Sequence, residues 1–112
     1  MAYGKWEYVI NEYANTFLKL TYSEHARAFT RLIPQLKNAV SPDLTPGVTL
    51  GNLFLEHPDK SSCIRIDFVK PGKFNIYREL YLDRSRTFET ECSEADVISV
   101  VQSLQSGENP GT

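Results

Sequence analysis

"CIRIDFVKPGKFNIYRELYL", residues 63–82, changes side chain character at every second position on both sides of a Pro-Gly pair. Ile64, Ile66 and Phe68 fall on one side of an extended chain, with Arg65 and Asp67 on the other; Phe74 and Ile76 resume the apolar side after "KPGK". A period of two is the signature of a strand with one buried face. Pro71 then Gly72 suits a type II turn, since proline fixes the negative φ of its first central residue and glycine supplies the positive φ of the second. Type II is not the turn whose twist matches a hairpin best, so a loop of four residues is expected here. An antiparallel hairpin with one apolar and one polar side sets the rest of the fold around a half-covered sheet.

Downstream, "DRS" (83–85) turns the chain and "RTFETEC" (86–92) reads as a further strand with Phe88, Thr90 and Cys92 on the apolar side. Ser93, three residues before Asp96, is placed to cap a helix over "EADVISVVQSLQ" (94–105), packed through Val97, Ile98, Val101 and Leu104. Glu94 and Asp96 in the first turn favour the positive end of its dipole. Upstream, "VTLGNLFLE" (48–56) reads as the first strand, with Gly51 a possible bulge, and "HPD" (57–59) turns it into the hairpin. "SPDLTPG" (41–47), with two prolines and a glycine, reads as a linker.

The first 40 residues carry a helical period. Trp6, Ile10, Tyr13, Phe17 and Leu20 make one stripe between Gly4 and Leu20. Thr21 and Glu24 form a capping box that opens a second helix, whose stripe is Ala26 or Ala28 with Phe29, Leu32, Ile33 and Leu36. Pro34 inside that pattern predicts a kink or break. The fold class expected is α+β: an N-terminal helical hairpin, a four-stranded antiparallel β-meander and a C-terminal helix, with the helices on one face of the sheet. Residues 1–105 form a single domain, and 106–112 a mobile tail with nothing to bury.

At 112 residues the chain can bury about two-thirds of its unfolded surface around one core. An apolar share of 41% with 23% charged residues is that of a folded soluble chain. The net charge of -2 offers no general attraction for nucleic acid or an anionic membrane. No apolar run approaches a membrane span and the N-terminus lacks the layout of a signal peptide, so a cytoplasmic protein is expected. Cys63 and Cys92 have no close-spaced ligand partners and read as buried thiols rather than metal ligands; they could meet only if their strands were neighbours. No cofactor motif is present.

If Leu80 and Leu82 continue the apolar side, the opposite side carries Arg65, Asp67, Asn75, Tyr77, Glu79, Tyr81, Glu89 and Glu91. Arg78 breaks the inward pattern, and a bulge near Arg78 and Glu79 or an edge position would explain it. These residues suit the wet side of a sheet, where opposite charges pair across strands. They equally suit a contact surface, because tyrosine gives rigid area at low entropic cost and acids complement a basic partner. A catalytic use of Glu79 with Glu89 would need burial that strand alternation denies them. His25 at a helix start and His57 in "EHPD" read as surface residues, and Lys60, Lys70 and Lys73 as a small solubilising patch.

The expectation is therefore a non-catalytic protein-binding module that neutralises or escorts a basic protein, as an immunity protein (antitoxin) or a secretion chaperone does. Its binding residues would be Arg65, Asp67, Tyr77, Glu79, Tyr81, Glu89 and Glu91, with homo-oligomerisation through the same face as a variant. The alternative is a small α+β enzyme or ligand-binding domain. Its cavity would lie between helices and sheet, lined by Trp6, Tyr13 and Tyr22 with His25 or Arg27 as the polar group.

Overall fold

The computed structural model describes residues 6–13, 23–49 and 52–105. Five strands form one sheet: β1 (Thr45–Thr49), β2 (Asn52–Glu56), β3 (Ser62–Lys70), β4 (Lys73–Leu80) and β5 (Arg86–Ser93). They lie in chain order and every neighbouring pair is antiparallel. The class is α+β as expected, with one strand more than the four expected. The stretch 48–56 is not a single strand, because β1 and β2 pair with each other on either side of residues 50 and 51, which lie outside the described residues, Gly51 included.

The linker reading of 41–47 also needs correction, since Thr45, Pro46 and Gly47 belong to β1. An edge strand can hold a proline because it needs no ladder N–H on its outer side. At Gly47 the backbone itself is the packing surface: a Cβ there would collide with the ring of Phe54 on the paired strand.

The β3–β4 hairpin has a two-residue turn instead of the four-residue loop expected: Lys70 pairs with Lys73 across Pro71 and Gly72, and Gly72 has φ +83. The register shifts between Phe68 and Lys70, leaving Val69 as an extra residue. That bulge adds local twist and so reconciles a turn of unfavourable hand with the strands it joins.

Three cross-strand rows make the inner face. Pro46, Leu55, Ile64, Arg78 and Phe88 form one; Val48, Leu53, Ile66, Ile76 and Thr90 the next; Phe68, Phe74 and Cys92 the third. Leu53, Leu55, Ile64, Ile66, Phe74 and Ile76 are wholly buried, in one cluster with residues of all three helices. Arg78 does point inward. Its guanidinium crosses the layer gap and Nη2 donates to the carbonyl of Leu104 at 2.6 Å, at a helix end where carbonyls lack intrahelical donors. The bulge expected near Arg78 exists, but the extra residue is Thr87 on β5.

The helices are α1 (Trp6–Asn11), α2 (Ser23–Ala39) and α3 (Val97–Gln105). Trp6 packs against the core and Tyr13 is buried, as the expected stripe has them, but the buried residue between them is Val9 and Ile10 is exposed. Phe17, Leu20, the Thr21 cap, Tyr22 and the tail 106–112 lie outside the described residues, and with them the turn of the expected helical hairpin. Helix α2 runs through Pro34 without a break. Both Thr30, whose carbonyl loses its donor, and Pro34 are exposed, so water can serve that carbonyl while Phe29, Leu32, Ile33 and Leu36 hold the opposite side to the core.

Ser93 does not cap as expected. Its hydroxyl donates to Asp96 at 3.1 Å, no side-chain bond reaches a backbone N–H, and a 3-10 turn over Glu94–Asp96 precedes α3. Gln102 and Gln105 of α3 instead close the end of α2, on the carbonyl of Ala39 and the N–H of Ser41. No helix among the described residues is long and apolar enough to cross a membrane.

Candidate functional site

The other side of the sheet carries three rows of its own. Thr45, Glu56, Cys63, Glu79 and Arg86 form the first; Gly47, Phe54, Arg65, Tyr77 and Glu89 the second; Asp67, Asn75 and Glu91 the third. Among the described residues all three helices pack on the inner face, so this outer face is the open one. It gathers every residue expected for binding: Arg65, Asp67, Tyr77, Glu79, Glu89 and Glu91 in the rows, with Tyr81 folded over them from the β4–β5 turn.

Side-chain parity alone leaves out four members of the face. The extra residue Thr87 reverses the phase of β5, so Arg86 sits opposite Glu79 on the outer face, although it lies two residues from the inward Phe88. Arg84, at φ +60 in the turn, reaches back to Glu79 at 3.5 Å. Phe54 and Glu56 come from β2, which the sequence reads as one strand with Val48 and Thr49, while Thr45, Pro46 and Gly47 of its partner β1 read as linker. The signal that could have found Arg86 is the string Arg86-Thr87-Phe88, whose two polar residues before an inward aromatic allow a bulge.

These cations pair the acids off. Arg65 lies 3.4 Å from Asp67 and 3.7 Å from Glu79, both mostly shielded from water. Arg86 contacts Glu89 at 2.6 Å and stacks over the Tyr77 ring at 3.9 Å. Asn75 donates to Glu89 at 2.6 Å, and Lys73 reaches Glu91 at 3.5 Å. The Asn75 bond and then Arg86 hold the Glu89 carboxyl below its ordinary range. It stays ionised, the opposite of what a general acid requires. Tyr77 is 3% exposed beneath this layer, and burial followed by the Asp67 charge raises its phenol.

At the end of the face nearest the β4–β5 turn is a depression of about 550 Å³ between Phe54, Glu56, Cys63, Glu79, Tyr81 and Arg84. Tyr81 donates from its hydroxyl to Glu56 at 2.9 Å. Burial, then hydrogen bonding to the Cys63 thiol and to Glu56, raises the Tyr81 phenol far above its usual value, so it remains a donor. Cys63 is 2% exposed, donates weakly to Glu79 at 3.9 Å, and is pushed up chiefly by burial. It is a thiol rather than a nucleophilic thiolate. Leu82, expected to face inward, is 99% exposed, because β4 stops at Leu80 and the turn begins at Tyr81.

The interior residues proposed for a ligand cavity do other work. Tyr13 is fully buried and stacks on Phe29 at 4.9 Å, and Trp6 packs against the core. His25 is not a plain surface residue: its ring lies 5.3 Å from Phe29 and 4.7 Å from Phe68. Arg27 is exposed on α2. His57 is half-buried in the β2–β3 turn, where burial and then Arg78 lower its pKa. Among the described residues no group of His, Cys, Asp and Glu is placed to hold a metal ion. Comparison with known proteins gives no match to a family model, to a curated protein or to a solved structure.

Proposed function

We propose that the chain is a non-catalytic protein-binding module whose open sheet face seats a partner protein, in order to neutralise or escort it. The observation that carries this reading is the asymmetry of the sheet. One face carries the helices and the core, and the other presents the half-buried Phe54 and Tyr81 among ordered, mutually paired charges that cover Tyr77. Rigid aromatic area set in a fixed pattern of charge favours specific association, because little side-chain freedom remains to be lost on binding. Five carboxylates (Glu56, Asp67, Glu79, Glu89 and Glu91) face four cations (Arg65, Lys73, Arg84 and Arg86). The partner surface is therefore of mixed charge with a modest basic excess, rather than strongly basic.

The test is affinity capture with the full chain, followed by variants. Glu89→Lys with Glu91→Lys alters two exposed positions of the face, and Glu24→Lys alters α2 on the other side as a control. The expected result is a stoichiometric partner lost by the face variant and kept by the control, with circular dichroism unchanged. A partner insensitive to the face variant, or no partner and a monomer on sizing, overturns the proposal; a dimer lost by the face variant turns it into self-association.

A further inference from the structure

The two edges of the sheet differ. At β1 the edge carries Pro46, and α1 contacts the strand. At the other end β5 runs for eight residues with no proline and no lysine, and its one bulge lies near its start. From Phe88 to Ser93 its pairing with β4 is regular. The N–H of Glu94 donates to the carbonyl of Gly72, one step beyond the Ser93–Lys73 pair, so that pair is a non-hydrogen-bonded one. Counting back along the ladder, Cys92, Thr90 and Phe88 turn their backbone groups toward β4. Ser93, Glu91 and Glu89 turn theirs away from the sheet.

Side chains along this edge set what could lie beside it. On the inner face α3 sits over β3 and β4, leaving Phe88, Thr90 and Cys92 half-buried. On the outer face Glu89 and Glu91 are the only charges between Phe88 and Ser93, and Glu94 and Asp96 follow in the next turn. The cations that reach the two acids, Arg86 and Lys73, stand at the ends of the β4–β5 pair and are half-exposed. Exposed ion pairs of this kind exchange partners at little cost.

A second copy of β5 is a poor occupant. An antiparallel copy centred anywhere from Glu89 to Glu91 sets carboxylates opposite each other, and the bulge at Thr87 interrupts registers centred nearer the start of the strand. The tail 106–112 carries one acid and no cation, so it does not answer these acids either. We infer that β5 is where a strand of the partner adds to the sheet, with lysine or arginine at alternate positions beside Glu89 and Glu91 and apolar residues between them, against Phe88, Thr90 and Cys92. In such an addition the main-chain bonds supply affinity and the alternate side chains supply specificity. The inference rests on the protein-docking reading above and specifies how the partner is held.

The experiment is an amide NMR titration of the full chain with a blocked hexapeptide that alternates lysine and valine. One control alternates glutamate and valine, and another holds the same lysines and valines in two blocks. Saturable shifts along Phe88–Ser93 are expected with the alternating lysine peptide only. At saturation the amides of Glu89 and Glu91 should exchange with solvent several-fold more slowly, because each gains an acceptor. Glu91→Pro removes an outward N–H, leaves the ladder to β4 intact, and should weaken binding about tenfold or more. Glu89→Lys with Glu91→Lys should reject the lysine peptide and take up the glutamate one, which reads the edge independently of the proline variant.

Absence of saturable shifts, equal binding of the block peptide, or shifts without slowed exchange at Glu89 and Glu91 overturns strand addition. Undiminished affinity in Glu91→Pro, or a double-lysine variant that still prefers the lysine peptide, overturns it too. If strand addition fails while Glu89→Lys with Glu91→Lys still abolishes capture, the docking face stands without it. If the lysine peptide adds to β5 but capture ignores that variant, the docking reading falls instead.

Discussion

The ring of Phe54 lies against the backbone of Gly47 on the adjacent edge strand, so closely that no side chain fits beneath it. A glycine in a strand costs conformational entropy and packs nothing of its own. Here the aromatic ring covers the gap, closes the β1 edge over the open face and fixes one wall of the depression.

Gly47→Ala is accordingly expected to destabilise the fold by about 1–3 kcal/mol, the usual cost of overpacking. Gly47→Ala combined with Phe54→Leu should recover part of that loss, because the clash is with the ring. Urea unfolding of the two variants measures both values. An unchanged midpoint for Gly47→Ala would show that the ring moves aside freely and is not a fixed wall.

A second relationship crosses the layers. Arg78 leaves the sheet to donate to Leu104 near the end of α3, where a cation also favours the negative end of the dipole. Arg78→Met preserves much of the stem and removes the donor. It should cost about 1–3 kcal/mol, as expected when a bond from a charged group is lost and a half-buried carbonyl is left unserved. Amide exchange should report it most strongly in the last turn of α3. Equal protection there in the variant would assign the cost to the sheet instead.

Arg78 also shows what the sequence makes legible. An arginine in an inward phase looks like an error when only its own strand is read; its partner is a carbonyl 26 residues away, invisible to periodicity. Local signals served well where one residue decides the geometry, as at Gly72, whose positive φ the Pro-Gly pair implies. The apolar alternation of β3, β4 and β5 put Arg65, Asp67, Tyr77, Glu79, Glu89 and Glu91 on one face, where the sheet register has them. Elements fixed by tertiary context were not legible. Strand β1 contains Pro46 and Gly47 and is stabilised by an edge position and by Phe54. The bulge at Thr87 turns Arg86 outward without any local requirement for it, and that shift adds the Arg86–Glu89 pair to those that Arg65, Arg84 and Lys73 make on the face.

The start of α3 is tied to α2 by a bidentate pair, Arg31 Nε and Nη2 to the two oxygens of Glu94 at 3.0 and 2.8 Å. The hydrogen bond from Arg31 holds the Glu94 carboxyl below its ordinary range. A depressed carboxylate contributes stability that is complete above the unfolded-state value and vanishes as pH falls through the lower folded-state value. Water screens the half-exposed Arg31, so the contribution is no more than about 1 kcal/mol. Glu94→Gln should therefore be slightly less stable than the parent at pH 7, with the gap closing as the solution is taken below the ordinary glutamate range. Urea midpoints at a series of pH values measure it. A gap that persists at the acid end would mean that packing, not charge, distinguishes the variant.

The two thiols offer a direct report on the open face. Cys63 lies on the outer face opposite Glu79, and Cys92 on the inner face opposite Phe74, with β4 between their strands. They cannot meet, and both are free. Burial raises each pKa, so both should alkylate slowly with iodoacetamide at pH 7.5, with the half-buried Cys92 faster than the buried Cys63. Tyr81 lies against Cys63 in the wall of the depression, its hydroxyl donating to Glu56. Tyr81→Phe keeps the ring and should change the Cys63 rate by only a few-fold, whereas Tyr81→Ala uncovers the thiol and should raise that rate by at least about tenfold while leaving Cys92 alone. Peptide-resolved mass spectrometry separates the two sites. Equal acceleration at both cysteines would indicate general loosening of the sheet, and acceleration at neither would mean that the flanking Phe54 and Glu79, rather than Tyr81, form the cover.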